Sequence, residues 1–205
     1  MDGEGHLTAM ELVDARRGHF LLESGHHGGL WLDLDALFAD PRRVAPSVTA
    51  LARAIHPHGV SMVCGPLLGG AFLAQLVARE LDAGFCFTER AFPGEGTGLY
   101  RARYLLPRAY APRVRGERIA IVDDVMSAGS ALRATFLELR EHGAQPVVAG
   151  ALLVLGSAGA GWFAEREIPV EAVERAEYPL WTPDACPRCA AGEPLEDPAS
   201  RAPPP

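Results

Sequence analysis

Residues 119–131, with the sequence IAIVDDVMSAGSA, restrict the possible folds more than any other part of the chain. They open with four apolar residues that predict a short buried strand, and Asp123 and Asp124 follow at once. A turn of small residues comes next, and from Ala131 onward apolar residues recur at helical spacing. The stretch therefore predicts a strand, an acidic pair, a small-residue turn and a helix in direct succession.

This arrangement suits a ribose 5-phosphate. Free backbone N–H groups at a helix N-terminus bind phosphate, and Ser127 and Ser130 can add hydroxyl donors. Gly129 allows backbone angles that other residues avoid. Because carboxylates beside the turn would repel a phosphate, we expect them to accept hydrogen bonds from sugar hydroxyls or to help place a cation. The alternative is a generic strand-turn-helix unit with an acidic turn.

The segment VDDVMSAGSA resembles the 5-phosphoribosyl 1-diphosphate (PRPP) motif of type I phosphoribosyltransferases. By this resemblance, Asp123 and Asp124 of this chain would be catalytic residues that hold the ribose hydroxyls, and Ser127 would contact the base. The resemblance assigns to PRPP binding the residues Asp123, Asp124, Val125, Met126, Ser127, Ala128, Gly129, Ser130 and Ala131.

A second strand–loop–helix unit precedes this motif. Residues 60–64 predict a buried strand, residues 65–70 a glycine-rich loop and residues 71–81 a helix. Such a loop lets the backbone approach an anion closely, and it lacks the lysine of a Walker A loop. It resembles the diphosphate-binding loop of the same family, which assigns Gly65, Pro66, Gly69 and Gly70 to PRPP.

Residues 88–116 are rich in arginine, glycine and proline, and connecting regions of this length are usually functional or mobile. The resemblance implies a flexible loop that closes over PRPP, with Arg90 as a catalytic cation beside the diphosphate. Arg101 and Arg103 belong to a return segment that would also face PRPP. Plain surface arginines are the alternative. The chain has 19 basic residues, and all of them are arginine, so no lysine serves in this loop.

The N-terminal part of the chain predicts a helix over residues 8–17 and then a small hood over residues 18–40. The pattern Gly18-His19-Phe20 followed by Ser24-Gly25-His26 resembles the opening of orotate phosphoribosyltransferases. His26 and His27 suggest a metal site. Adjacent histidines rarely face one ion, and no Cys or carboxylate lies near them at ligand spacing, so we expect surface or substrate-facing histidines and no bound metal.

Near the C-terminus, Cys186 and Cys189 form a single CxxC motif, in a segment that resembles the tail of some bacterial orotate phosphoribosyltransferases. One such pair is a weak metal signal, because zinc needs four ligands. The sequence favours free thiols in a loop over zinc shared by the CxxC pairs of two subunits. Residues 193–205 are polar and proline-rich, which predicts a disordered tail.

Composition restricts the remaining function classes. A length of 205 residues fits one α/β domain over residues 1–192. The net charge of -7 argues against a nucleic-acid-binding protein, which usually carries a basic face. The sequence predicts no signal peptide and no membrane span, and we expect a cytoplasmic protein.

These observations predict an α/β protein of the type I phosphoribosyltransferase fold, with a central parallel sheet flanked by helices, a hood and a flexible loop. The resemblance implies that a pyrimidine base nitrogen, that of orotate, displaces diphosphate from C1 of PRPP and gives orotidine 5'-phosphate. It also implies Mg²⁺ carried mostly by PRPP, and a homodimer. Two alternatives remain: transfer to a different base, because no arginine lies near Gly156 where orotate enzymes usually have one, and a non-catalytic PRPP-binding regulator.

Overall fold

The structure is a computed structural model, and it describes residues 14–34, 37–91 and 98–198. The strands are β1 (Asp14–Leu21), β2 (His27–Asp33), β3 (Met62–Pro66), β4 (Gly84–Ala91), β5 (Arg103–Leu105), β6 (Arg118–Met126), β7 (Gln145–Leu155), β8 (Val170–Ala176) and β9 (Leu180–Trp181). The helices are α1 (Pro41–Ile55), α2 (Gly69–Glu80), α3 (Ala111–Val114), α4 (Ser130–Glu141), α5 (Ala158–Ala164) and α6 (Pro187–Ala190). The centre of the predicted mobile loop, residues 92–97, lies outside the described residues.

Six of the described strands form the main sheet, in the order β5-β4-β3-β6-β7-β8. All neighbours in it are parallel except β4 and β5, so the predicted α/β fold with a central parallel sheet is confirmed. Strands β3 and β6 are direct neighbours, with Cys64 opposite Ile121. Because parallel strands end at one edge of a sheet, the loops that follow β3 and β6 lie side by side.

Helices cover both faces of the main sheet. Alternate residues of β3 and β6 contribute to two separate cores, as β-strand geometry requires: Val63 belongs to one core and Cys64 to the other. The first core packs against α1 and α2, through residues such as Leu51 and Leu73. The second packs against α4 and α5, through residues such as Phe136. Because helices pack on both faces of the sheet, the carboxyl ends of β3 and β6 keep a fixed position relative to each other.

A smaller sheet forms the core of the hood. Strand β2 lies between β1 and β9 and is antiparallel to both. The predicted helix over residues 8–17 is wrong for residues 14–17, because they pair with β2 from Asp14 opposite Asp33 to Arg17 opposite Leu30. Residues 8–13 lie outside the described residues. The hairpin buries Phe20, which is 1% exposed.

The C-terminal segment packs onto this small sheet. The Leu21 N–H donates to the Glu196 carbonyl and the Glu196 N–H donates to the His19 carbonyl, each at 2.8 Å. Arg16 forms a further ion pair with the Glu196 carboxylate at 2.8 Å. The prediction of a disordered tail from residue 193 is therefore wrong for residues 193–198, and residues 199–205 lie outside the described part. The hood of this protein thus consists of β1, β2, β9, and the C-terminal segment from Cys186 through α6 to residue 198.

Two further sequence predictions about the hood are wrong. His26 and His27 are 8% and 4% exposed, so they are not surface residues. The CxxC motif lies at the start of a short helix rather than in a loop, because Cys186 directly precedes α6 and Cys189 lies within it. Among the described helices, none has the length and the apolar character that a bilayer crossing requires.

Candidate active site

A cavity of about 590 Å³ lies between the hood and the carboxyl edge of the main sheet. The hood contributes the β1–β2 turn and residues 30–34 at the end of β2, and the sheet contributes the loops after β3 and β6. The lining residues are Leu22, Glu23, Ser24, Leu30, Trp31, Leu32, Asp33, Leu34, Pro66, Leu67, Leu68, Gly69, Tyr104, Asp123, Asp124, Val125, Ser127, Ala128, Gly129, Ser130, Ala131, Leu155, Tyr178 and Pro198. Most residues of the predicted PRPP motif therefore face one space.

The acidic pair lies at the end of β6. The Asp124 N–H donates to Asp123 Oδ1 at 3.1 Å, and the Val125 N–H donates to Asp124 Oδ1 at 2.7 Å, so the backbone fixes both carboxyl groups. Burial and the neighbouring Asp124 carboxylate raise the pKa of Asp123 well above its usual range. A partner that donates hydrogen bonds or carries positive charge would relieve this repulsion. Ribose hydroxyls and a hard cation both do so.

The loop after β3 approaches the acids so closely that its glycines are required. A Cβ atom at Gly69 would collide with the Asp124 carboxylate, and one at Gly70 would lie 2.7 Å from Asp123 Oδ1. A Cβ atom at Gly65 would overlap the backbone carbonyl of Gly70. The peptide bond between Leu67 and Leu68 in this loop is cis. The two predicted substrate loops thus form a single surface around the acidic pair.

The small-residue turn after the acids leads into α4. Gly129 has φ 73°, in the left-handed region that favours glycine, and the Arg133 N–H donates to its carbonyl at 2.8 Å as α4 begins. The Ser127 hydroxyl is buried and has no hydrogen-bond partner among the described residues. Such an orphaned group at a cavity wall is well placed to bind a ligand.

Glu23, in the β1–β2 turn, contacts several of the candidate residues. Its carboxylate accepts hydrogen bonds from the Tyr104 and Ser130 hydroxyls, each at 2.9 Å, and lies 3.2 Å from Arg90 Nε. Burial and the Glu23 charge raise the pKa of Tyr104 above its usual range. Sequence reasoning missed Glu23 and Tyr104, because only the fold brings the hood turn to α4 and to the β4–β5 pair.

The other residues that the sequence singled out differ in whether they line the cavity. Arg101 and Arg103 do not line the cavity; Arg103 is exposed on β5, whereas the next residue, Tyr104, points inward. The Met126 side chain is fully buried in the second core. Pro66 lines the cavity, and no arginine is present among its described lining residues. Neither His26 nor His27 lines it.

Comparison with known proteins gives a consistent result. Residues 38–182 match the model of the phosphoribosyl transferase domain family. The chain is 31% identical over 184 residues to an orotate phosphoribosyltransferase of Thermotoga maritima, covering 90% of this chain and 91% of the relative. It is 32% identical over 180 residues to an orotate phosphoribosyltransferase of Thermus thermophilus, covering 88% and 91%.

Solved structures agree in fold. Orotate phosphoribosyltransferase from Aeropyrum pernix superposes with a TM-score of 0.60 at 22% identity, over 78% of this chain and 87% of that one. Adenine phosphoribosyl transferase from Trypanosoma brucei superposes with a TM-score of 0.64 at 14% identity, over 82% and 77%. At these identities the structural similarity concerns the fold and does not distinguish between bases.

Proposed function

This chain belongs to the phosphoribosyl transferase family, among the orotate phosphoribosyltransferases, and we propose that it transfers ribose 5-phosphate from PRPP to orotate. The products are orotidine 5'-phosphate and diphosphate, so the enzyme acts in pyrimidine nucleotide biosynthesis. The observation that carries this proposal is the contact between the two substrate loops, in which Gly69 and Gly70 lie directly against Asp124 and Asp123.

The geometry supports one placement of PRPP. Asp123 and Asp124 accept hydrogen bonds from the ribose hydroxyls, and the turn of residues 127–131 with the start of α4 binds the 5-phosphate. The diphosphate then lies towards residues 65–70 and Arg90. Most of the PRPP motif, together with Pro66 and Gly69, lines one cavity, which supports this placement. Arg90 does not line the cavity, but its Nε lies 3.2 Å from the carboxylate of Glu23, which does.

Catalysis in this arrangement is mainly positioning and charge stabilisation. As the C1–oxygen bond to diphosphate lengthens, positive charge develops on the ribose ring and negative charge on the leaving group. Backbone N–H groups of the glycine loop and the Arg90 guanidinium stabilise the leaving group, and the acidic pair holds the ring in place for attack by the base nitrogen.

The base would lie between Ser127 and an apolar wall formed by Trp31 and Leu32 of β2 and by Leu34, just after that strand. Ser127 offers a free hydroxyl for a hydrogen bond to the base. One observation favours a second candidate function, transfer to a base other than orotate: no arginine is among the described cavity-lining residues to pair with a base carboxylate.

We propose Mg²⁺ as the cofactor, and the donor set fits it. Hard cations prefer oxygen ligands and often bind mainly through substrate phosphates. Asp123 and Asp124 supply carboxylate oxygens at the cavity, and their mutual repulsion favours a nearby cation. When bound, Mg²⁺ neutralises diphosphate charge and so makes it a better leaving group.

We propose a homodimer in the cytoplasm, where PRPP is available. Two large apolar side chains beside the cavity, Leu68 and Phe72, are 60% and 44% exposed, which is consistent with a subunit contact. The net charge of -7 gives no support for a nucleic-acid partner. Light scattering after size-exclusion chromatography measures the oligomeric state directly.

The decisive assay measures diphosphate release from PRPP with Mg²⁺ and either orotate or a panel of other bases. Asp124→Asn is the control, because it keeps the shape of the side chain and removes its charge. Release that requires orotate and falls in the variant supports the proposal. Release with another base, and none with orotate, would establish the second candidate function instead.

A further inference from the structure

Four potential metal ligands meet in the hood, outside the cavity. They are His19 on β1, His27 at the start of β2, and Cys186 and Cys189 at α6. One ligand atom from each lies within 4.8 Å of every other. We propose that these side chains bind one structural zinc ion within a single chain, and that the ion holds the hood together.

The distances fit a tetrahedral zinc site. His19 Nε2 lies 3.2 Å from His27 Nδ1, 3.3 Å from Cys186 Sγ and 3.7 Å from Cys189 Sγ. Cys189 Sγ lies 3.3 Å from His27 Nδ1. Usual Zn–N and Zn–S bond lengths of about 2.0–2.3 Å place the ligand atoms of a tetrahedron about 3.3–3.8 Å apart. The four side chains therefore surround a space of the right size for the ion.

A backbone carbonyl selects the required tautomer of His19. The His19 Nδ1 atom lies 3.0 Å from the carbonyl oxygen of Glu193, which can only accept a hydrogen bond. Nδ1 therefore carries the proton, and in the neutral ring Nε2 presents its lone pair to the other three ligands. A histidine held by a carbonyl at one nitrogen and facing a cluster with the other is the usual arrangement at zinc.

Burial and ligand type point to a structural zinc site. His19, His27 and Cys186 are 4%, 4% and 3% exposed, whereas Cys189 is exposed and leaves a path for metal entry. Two imidazoles and two thiols form a soft donor set that suits zinc and does not suit Mg²⁺ or Ca²⁺. With four protein ligands the coordination is complete, so no position stays open for catalysis.

The ion would join parts of the chain that are far apart in sequence. His19 and His27 belong to the hairpin whose turn carries Glu23 and whose second strand lines the cavity with Trp31. The cysteines belong to the C-terminal segment, which otherwise contacts β1 through Glu196. Zinc therefore fixes the wall of the substrate cavity from outside, which goes beyond the proposed transferase function.

Sequence spacing alone does not indicate this site. No cysteine lies near the two histidines in sequence, and a lone CxxC pair suggests at most a zinc ion shared between two subunits. The fold supplies the second pair of ligands from within the same chain, across 167 residues between His19 and Cys186. We therefore replace the predicted absence of a metal with this site.

The test uses the full-length protein, expressed with zinc in the medium and analysed for metal by mass spectrometry. We expect one zinc per chain. Cys189→Ser and His27→Gln should lose at least 80% of it, whereas His26→Gln should keep it, because the His26 ring contacts Ser24 instead. The unfolding temperature of both ligand variants should fall by about 5 °C or more.

Cobalt provides a second measurement that does not depend on activity. Stripped wild-type protein titrated with Co²⁺ should develop a thiolate-to-cobalt absorption band that saturates at one equivalent. Zinc at half an equivalent per chain would show an ion shared between subunits and would overturn the proposal. Absence of both zinc and the band, or a mass 2 Da lower from a Cys186–Cys189 disulfide, would also overturn it. None of these outcomes depends on which base the enzyme uses.

Discussion

The Glu23 carboxylate accepts a hydrogen bond from the Ser130 hydroxyl at 2.9 Å, although 107 residues separate them. Ser130 begins α4, at the turn to which we assign the 5-phosphate of PRPP. The same carboxylate pairs with Arg90, the cation assigned to the diphosphate. In the ligand-free protein, Glu23 therefore binds two groups that the substrate needs. Its negative charge also repels the phosphates of the substrate.

We expect Glu23→Gln to lower the KM for PRPP about fivefold, with little change in kcat. Glutamine keeps the size of the side chain and removes the charge, and repulsion between two charges about 4 Å apart is worth about 1 kcal/mol in water. Initial rates at varied PRPP measure it. Glu89→Gln, which removes an exposed charge one residue from Arg90, is the control. A higher KM in Glu23→Gln would show instead that Glu23 positions Arg90 for binding.

Asp123→Asn should stabilise the ligand-free protein while it lowers kcat/KM about 100-fold or more. Burial and Asp124 raise the pKa of Asp123 in the folded state above the unfolded value of about 3.9. At pH values between these two pKa values, the folded protein binds more protons than the unfolded one. The free energy of unfolding therefore falls as the pH rises. Asparagine does not titrate, so the advantage of the variant should grow as the pH rises above about 4.

Urea unfolding of wild type and Asp123→Asn between pH 5 and pH 8 measures this difference without substrate. Asp82→Asn, at an exposed residue remote from the cavity, controls for a general effect of charge removal. A variant that is less stable than wild type across this range would contradict the proposed electrostatic cost of the acidic pair.

Gly69→Ala should lower kcat/KM about 100-fold and leave the fold intact. The new Cβ atom collides with the Asp124 carboxylate, so the acid must move, and displacements of this size at a reacting centre carry such costs. Gly161→Ala is the matched control, because a Cβ atom there meets nothing within 4 Å and alanine favours the helix. Equal kinetics in the two variants would exclude a substrate role for the Gly69–Asp124 contact.

The sequence predicted those parts of the site in which a functional residue directly follows a recognisable strand or belongs to the loop after one. Asp123 directly follows a buried strand, and Gly69 lies in a loop after another, so a local pattern located both. The parallel sheet then brings them together, because β3 and β6 are neighbours. The contact of the two loops was therefore predictable from the strand order of α/β proteins.

The hood could not be predicted in this way. The apolar residues Met10, Leu12 and Val13 predict a helix that extends to Arg17. Residues 14–17 instead pair with β2, which satisfies their backbone groups and outweighs that local preference. The positions of Glu23 beside Ser130, and of His19 beside Cys186, depend on contacts more than 100 residues apart in sequence. Local spacing patterns in a sequence do not indicate contacts between residues so far apart.

Ser127→Ala should raise the KM for orotate about tenfold and leave the KM for PRPP nearly unchanged. The Ser127 hydroxyl is buried without a partner among the described residues, so its removal costs the folded protein no hydrogen bond. A hydrogen bond to the charged base, worth about 1.4 kcal/mol or more, is lost only in the complex. Steady-state kinetics with each substrate varied separates the two KM values.

Ser157→Ala is the control for this variant, since Ser157 is exposed before α5 and its hydroxyl makes no capping hydrogen bond there. Thermal unfolding should show that Ser127→Ala is at least as stable as wild type, which excludes a folding defect as the cause of a raised KM. A raised KM for PRPP instead would place Ser127 on the phosphate, and the base would then be held by the apolar β2 wall. If neither KM changes, the Ser127 hydroxyl faces no substrate, and the assignment of the base to this side of the cavity is wrong.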